Sequence, residues 1–416
     1  MLGLVNSLTT STVLDQFTNA KSLVLDGSDY VDTGHTFQAT HRGSFTWSIW
    51  VKLDDGQPNS QIDYLIGSTN GSDEDRFGLN VRSTSNAGKI RIDYTADGDD
   101  CTYTTDNAIF PDGATNWTHI CAVVTKTTNT AFVIYIDGVA VPGTLANATA
   151  EAKHAAWTSD KNMYLGCLNN NGTASNFWTG NMDEVAVWNV ALSDLAVRAV
   201  HNGGKPFDLN YNRGQYGNSS ALQAYWRMFD KVAFDSDEDR AGTAGNVIYD
   251  ASNPGLGPNI WDSTPSTSHL SATSSNTSSI EDGAYKVTYV NSLNGFSLKI
   301  NDSVTSTTSE DLVVGDIYKV VTEWRCVGGN GFTCRIFKAG VSSNLSPIEG
   351  GAIAADEDFV TKNFYLKCSH ATDDRISIQS NLGAGETAYL KVISVQKLNG
   401  YPAETSASTT SSTSVP

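Results

Sequence analysis

The stretch Ser44–Gly56, SFTWSIWVKLDDG, decides the fold class, because it alternates with a period of two and ends in Asp-Asp-Gly. In an extended strand, successive side chains point to opposite faces, so Phe45, Trp47, Ile49 and Val51 share one side, while Thr46, Ser48, Trp50 and Lys52 share the other. The first side reads as core. The second is polar except for Trp50, whose ring is either packed under a partner or offered to a ligand.

Outward from this strand the same pattern recurs in short runs: SLVLDGSDYVDTG, RFGLNVRS, KIRIDYTADG, NWTHICAVVTK, AFVIYIDGVAVPG, MYLGCLNNNG and NFWTGNMDEVAVWN. Regular short strands with Gly and Asp at the turns predict a two-sheet sandwich. Asp137-Gly138 suits a two-residue hairpin turn with positive φ. One short helix is expected in this half, DLAVRAVH, capped by Ser193 and ended by Gly203-Gly204, closing one edge of the sandwich.

Strand character resumes at ALQAYWRMFD and NVIYDASNPGLG, which places a boundary at Gly257. A second set follows: AYKVTYV, FSLKI, DIYKVVTEWRC, FTCRIFKAG, NFYLKC, RISIQS and AYLKVISVQKL. The fold class is therefore all-β, with two β-sandwich (jelly-roll) domains over 21–257 and 258–400. Residues 1–20 form an N-terminal arm and 401–416 a Ser/Thr-rich tail that composition alone would leave without structure. Neither end can form a core of its own, so order there would require clamping by neighbouring chains.

With 416 residues the chain suits two or three domains, and its 36 glycines and 17% charged residues fit many short strands and tight turns. A net charge of −18 argues against nucleic acid and against docking on anionic lipid. No run of about 18 apolar residues exists to span a membrane. The N-terminus shows neither a basic n-region nor a long apolar h-region, so it does not read as a signal peptide. The six cysteines divide three and three between the halves, which fits free, buried thiols better than disulfides within domains. Without an export signal, N-x-S/T triplets such as Asn116-Trp117-Thr118 read as composition.

The segments SLVLDGSDYVD (22–32), SFTWSIWVK (44–52), NWTHICAVV (116–124), FVIYIDGVAV (132–141) and FWTGNMDEVAVWNVALSDLAVRAVHNGG (177–204) resemble the laminin G-like, concanavalin A-like sandwich family. The stretch from LQAYWRMFD to DASNPG resembles the segment that follows such domains in structural proteins of tailed, marine-type phages. Residues 258–400, with EDLVVGDIYKVVTEWR and AGETAYLKVISVQKLNG, are similar to jelly-roll carbohydrate-binding modules. The resemblance implies a virion protein made in the host cytoplasm and exposed on the particle surface, as capsid decoration or as a fibre or appendage component. Its implied partners are other copies of itself, with a trimer one form, and virion proteins such as the major capsid protein. A dedicated host-glycan-binding lectin is the alternative.

Glycosidases of this fold place alternate carboxylates of an E-x-D motif in one cleft, and no E-x-D occurs in this chain. Asp183-Glu184 are adjacent and would face opposite sides of an extended strand, so no enzyme is expected. The seven histidines and six cysteines show no zinc spacing. Asp235, Asp237 and Asp239 in DSDEDRAG begin a D-x-D-x-D calcium loop, but Arg240 and Asn246 stand where Gly and a bidentate Glu belong. A calcium ion there competes with a solvated acidic turn. The clusters Asp73-Glu74-Asp75 and Asp97 to Asp100 read as loop charge. For glycan binding, Trp50 and Tyr135 are the candidate rings on the outward face, with burial under a neighbour the alternative for Trp50.

Overall fold

The computed structural model describes residues 17–54, 62–71, 75–96, 99–111, 113, 116–126, 131–146, 157–228, 230, 247–248, 250–253, 256–261, 264–267, 276–289, 297–300, 313, 316–328, 331–338, 348–355, 358–367, 376–381, 386–406 and 409–416. Asp235, Asp237 and Asp239 lie outside the described residues, as do Asp73-Glu74 and Asp97.

The first sandwich pairs an eight-stranded and an eleven-stranded sheet. The first runs in the order Val139–Val141, Ala131–Ile136, Thr118–Thr125, Phe45–Leu53, Thr179–Trp188, Ser22–Asp26 and Thr410–Ser412. Leu222–Trp226 pairs beside Ser22–Asp26 on the same flank of Thr179–Trp188. The second sheet contains Asp63–Thr69, Arg76–Val81, Ile90–Ala96 and Asp99–Thr105 as consecutive antiparallel neighbours. Between the sheets, Phe45, Trp47, Ile49 and Val51 pack with Phe77, Leu79, Ile92 and Tyr94 in one buried apolar cluster. The alternation in Ser44–Gly56 therefore assigns the core face correctly. Asp137 and Gly138 both have positive φ at the hairpin tip, 49° and 75°, as a two-residue turn of this hand requires.

The second sandwich faces a six-stranded sheet with a four-stranded one. Its cluster joins Tyr285, Val320, Trp324, Phe364 and Leu390 of the larger sheet to Cys334 and Ile353 of the smaller.

Two expectations are corrected. The helix Asp194–His201 does not close an edge. Ala196, Val197 and Val200 pack on Cys121, Tyr135, Ala186 and Trp188, so the helix roofs the outer face of the eight-stranded sheet. Ser193 caps it by accepting from the Ala196 amide at 3.3 Å. The tail is ordered, and no neighbouring chain is needed: Ala403–Thr405 pairs with Val31–Asp32 and Val247–Ile248, and Thr410–Ser412 pairs with Ser22–Val24. The chain thus leaves the first sandwich, builds the second, and returns to complete both sheets of the first. Backbone pairing supplies the order that a Ser/Thr-rich segment cannot draw from a core.

No described helix is long and apolar enough to cross a membrane. Cys101, Cys121, Cys167, Cys326 and Cys334 are buried.

Candidate functional site

Trp50 stands directly opposite Asp183 on one neighbouring strand and His119 on the other. Its ring lies against His119 and His201, with centroids 5.0 and 5.5 Å away. Only 4% of the residue is exposed. Tyr135 is 3% exposed, and its hydroxyl donates to Asp194 in the first turn of the helix. The outward-face reading of both rings is therefore corrected: the face is outward from the core but lies beneath the helix, and neither ring has a free side for a sugar. The cover on Trp50 comes from its own chain.

Around Trp50 the polar groups are partly tied down, with His119 Nδ1 and Asp183 Oδ2 buried and making no hydrogen bond. His119 Nε2 shares a 2.7 Å hydrogen bond with Ser48 Oγ, and its backbone amide donates to Asp137 Oδ1 at 2.9 Å. Burial, and then the nearby His201, lower its pKa to about 3, so the ring is neutral at ordinary pH. His201 Nε2 lies 3.9 Å from Asp137 Oδ1.

The Asp183-Glu184 pair departs from an extended strand. The register with Phe45–Leu53 shifts between Asp183 and Ala186, and Glu184 has φ of 48°. This bulge turns Glu184 toward Tyr225, whose hydroxyl donates to Oε2, and toward Arg227, whose Nε lies 3.2 Å from Oε1. The expectation that the two carboxylates take opposite faces is thus corrected: Tyr225 belongs to the roof cluster, so Glu184 joins Asp183 away from the core. Asp230 Oδ2 accepts from the Ala20 and Lys21 amides at 2.6 and 3.2 Å, while Arg227 donates to the Thr18 carbonyl and lies over Phe17. Here the strand Ser22–Asp26 meets the end of Leu222–Trp226. Burial, reinforced by Glu184, pushes Asp183 well above the usual carboxylate range, and burial raises Glu184 against the pull of Arg227. These groups clasp residues 17–21 to the sandwich.

The other outer face, that of the eleven-stranded sheet, is different in kind. Strand register aligns Tyr64, Asn80, Arg91, Thr104 and Thr144 in one row and Gly67, Gly78, Asp93, Thr102 and Ala146 in the next. Tyr64 lies flat over the glycines. A Cβ on Gly78 would stand 2.4 Å from its ring and one on Gly67 2.7 Å away, so only glycine admits the ring there. The Tyr64 hydroxyl and Asn80 Nδ2 donate to Asp93 Oδ2 at 3.2 and 2.7 Å, and Arg91 pairs with Asp93 Oδ1. Burial, then the Asp93 charge, push the Tyr64 phenol upward. The three apolar clusters of the described residues lie elsewhere. Tyr64, Asn80 and Asp93 are buried, and the accessible polar groups of the two rows are the half-buried Arg91 and Thr104 and the exposed Thr144. Sequence reasoning missed this face because Asp63–Thr69 was not read as a strand, although the alternation of Arg76, Asn80 and Arg82 with Phe77, Leu79 and Val81 carries the signal.

The described residues thus form two sandwiches, the first with one outer sheet face covered by the helix. Residues 25–198, within the first sandwich, match the family model described as the concanavalin A-like lectin/glucanases superfamily. Among solved structures, the chain is similar to the CBM40 of Ruminococcus gnavus IT-sialidase, at 17% identity over 44% of this chain and 97% of that one, with a TM-score of 0.35. A heptameric SAP-like pentraxin from Limulus polyphemus aligns at 13% identity over 51% and 89% of the two chains, with a TM-score of 0.33. The CBM22-1 xylan-binding domain of Paenibacillus barcinonensis Xyn10C aligns at 12% identity over 38% and 98%, with a TM-score of 0.25. No curated protein matches the chain.

Proposed function

We propose that this chain is a non-catalytic, lectin-like adhesion protein that holds glycan on the polar outer face of its eleven-stranded sheet. The observation that carries the reading is the set of half-buried Arg91 and Thr104 and exposed Thr144, held in register beside the buried Tyr64, Asn80 and Asp93, whose mutual hydrogen bonds fix the floor on which those accessible groups stand. Sugar hydroxyls are recognised by such preordered donors and acceptors. A non-catalytic role is supported by the absence of an E-x-D motif and by the burial of Asp183 and Glu184 within the clasp on residues 17–21. The full chain, passed over a panel of immobilised neutral and acidic glycans, is expected to bind a subset of them. Thr104→Trp, which fills the face from a partly exposed position, should remove that binding without unfolding the protein. Retention of every glycan by the variant, or of none by the wild type, rejects the reading.

The setting we propose is a phage particle surface, with the chain as capsid decoration or fibre component in homo-oligomeric form, a trimer among the candidates, beside virion proteins such as the major capsid protein. Its support is the sequence resemblance of residues 222–255 and 258–400. Self-association no longer draws on Trp50, which is buried within one chain, or on the order of the tail, which its own strand pairing supplies. A calcium ion at Asp235, Asp237 and Asp239 remains a proposal from the sequence, and chelation should lower the melting temperature if it is held there. Antibody labelling of intact particles tests the location, and sedimentation tests the assembly.

A further inference from the structure

Arg82 and Arg91 lie at one end of the polar face, Arg82 just past the strand Arg76–Val81 and Arg91 on the adjacent strand Ile90–Ala96, where the Arg82 amide donates to the Lys89 carbonyl at 2.8 Å. Their situations differ. Arg91 is paired with Asp93, which also serves Tyr64 and Asn80. Arg82 is half-buried, and its buried Nε has no hydrogen-bond partner. Two further carboxylates near the face, Asp100 and Asp106, accept from Thr95 and Thr144. Burial, then the charge of Arg91, pull the Arg82 guanidinium below its ordinary value, and the Asp93 charge only partly offsets them.

This arrangement is costly in a chain with 45 acidic and 27 basic residues. Carboxylates are abundant, yet none among the described residues is paired with Arg82. A partly desolvated guanidinium beside a second one is relieved by an arriving anion, and its planar fork matches a carboxylate through two parallel hydrogen bonds.

We infer that the Arg82 end of the face takes the carboxylate of an acidic sugar, so that the glycans bound there are uronic- or sialic-acid-containing chains. The inference rests on the lectin reading and narrows it. Asp93 is paired with Arg91 and hydrogen-bonded by Tyr64 and Asn80, so its charge reaches Arg82 without an ion pair, while the half-buried Thr104 lies in the row of Arg91.

The test uses the full chain on three matched sets of immobilised oligosaccharides: carboxylated, the same chains carboxyl-reduced, and sulfated. Carboxylated chains should bind most tightly, with affinity falling as salt rises. Arg82→Gln should weaken them about tenfold, the worth of one charge-assisted hydrogen bond, and leave the reduced chains unchanged. Arg82→Lys should recover only part of the loss, because an ammonium lacks the fork. A thermal melt of each variant confirms that it folds. Equal binding of carboxylated and reduced chains, tighter binding of sulfated chains, or an Arg82→Gln variant with wild-type affinity each overturns the inference while leaving the lectin reading intact. Failure to bind any glycan removes both.

Discussion

Trp50 and His201 stack across the space between the eight-stranded sheet and the helix that roofs it, with ring centroids 5.5 Å apart and planes inclined by 24°. The contact joins the middle of Phe45–Leu53 to the last residue of Asp194–His201. The indole is thus a packing element of one chain, and its removal leaves a cavity beneath the helix. Trp50→Ala should cost about 3 to 5 kcal/mol, the range for emptying a large buried aromatic site. Denaturant unfolding of variant and wild type checks it, and a loss below about 1 kcal/mol would show that the helix does not depend on this ring.

His119 should remain neutral far into the acid range. Its folded pKa of about 3 lies below the ordinary 6.5, so the unfolded chain takes up a proton that the folded one refuses. The group's contribution to stability is therefore complete above about 6.5 and is lost as pH falls toward 3. Imidazole nitrogen shifts recorded by NMR across this range should show no titration of His119 near 6.5. A midpoint near that value would mean that water reaches the ring.

Asp250 should act with the opposite sign. Its Oδ1 accepts from the Tyr225 amide and from the amide and hydroxyl of Ser252, and its Oδ2 from the Tyr401 amide. It therefore binds the point where the chain returns from the second sandwich. Burial raises its pKa from 3.8 to about 6, against the pull of those donors. A raised acid contributes stability below its unfolded pKa and loses it as pH rises through the folded one. The stability advantage of wild type over Asp250→Asn should thus be largest near pH 4 and shrink by pH 6. Chemical denaturation of both proteins at each pH decides it, and an advantage that grows over this interval refutes the assignment.

Most strands were legible because their alternation is strong, as in Phe45–Leu53, where one side is wholly apolar. Asp63–Thr69 escaped notice because its outward residues include Gly67, whose role under Tyr64 depends on a neighbouring strand. The Trp50 face was legible as a period but not as an environment, since the helix that covers it lies about 150 residues away in sequence. The Asp183-Glu184 bulge was hidden for a related reason: what holds Glu184 at positive φ is the pairing with Tyr225 and Arg227. Composition misread the tail because Ser and Thr in 410–412 contribute backbone pairing, which any residue but proline can supply.

That tail gives the last prediction. Thr410–Ser412 forms the edge strand beside Ser22–Asp26, and beyond it the Ser414 carbonyl accepts from Ser22 Oγ at 2.6 Å while Ser414 Oγ accepts from Trp117 Nε1 at 3.2 Å. Ala403–Thr405 does the corresponding work in the other sheet, and the Tyr401 carbonyl accepts from Trp226 Nε1 at 2.8 Å. Deleting 409–416 should therefore destabilise the first sandwich, by about 1 kcal/mol for each hydrogen bond lost, and expose the edge of Ser22–Asp26 to pairing with other chains. Deleting 402–416 should cost more, because it also strips Val31–Asp32 and Val247–Ile248 of their common neighbour. Hydrogen exchange should show the amides of Ser22–Asp26 losing protection in both truncations, while those of Ile317–Val327 in the second sandwich keep theirs. If 22–26 stays fully protected without residues 409–416, the tail is a passenger on a sheet already complete, and the order of these Ser/Thr residues needs another cause.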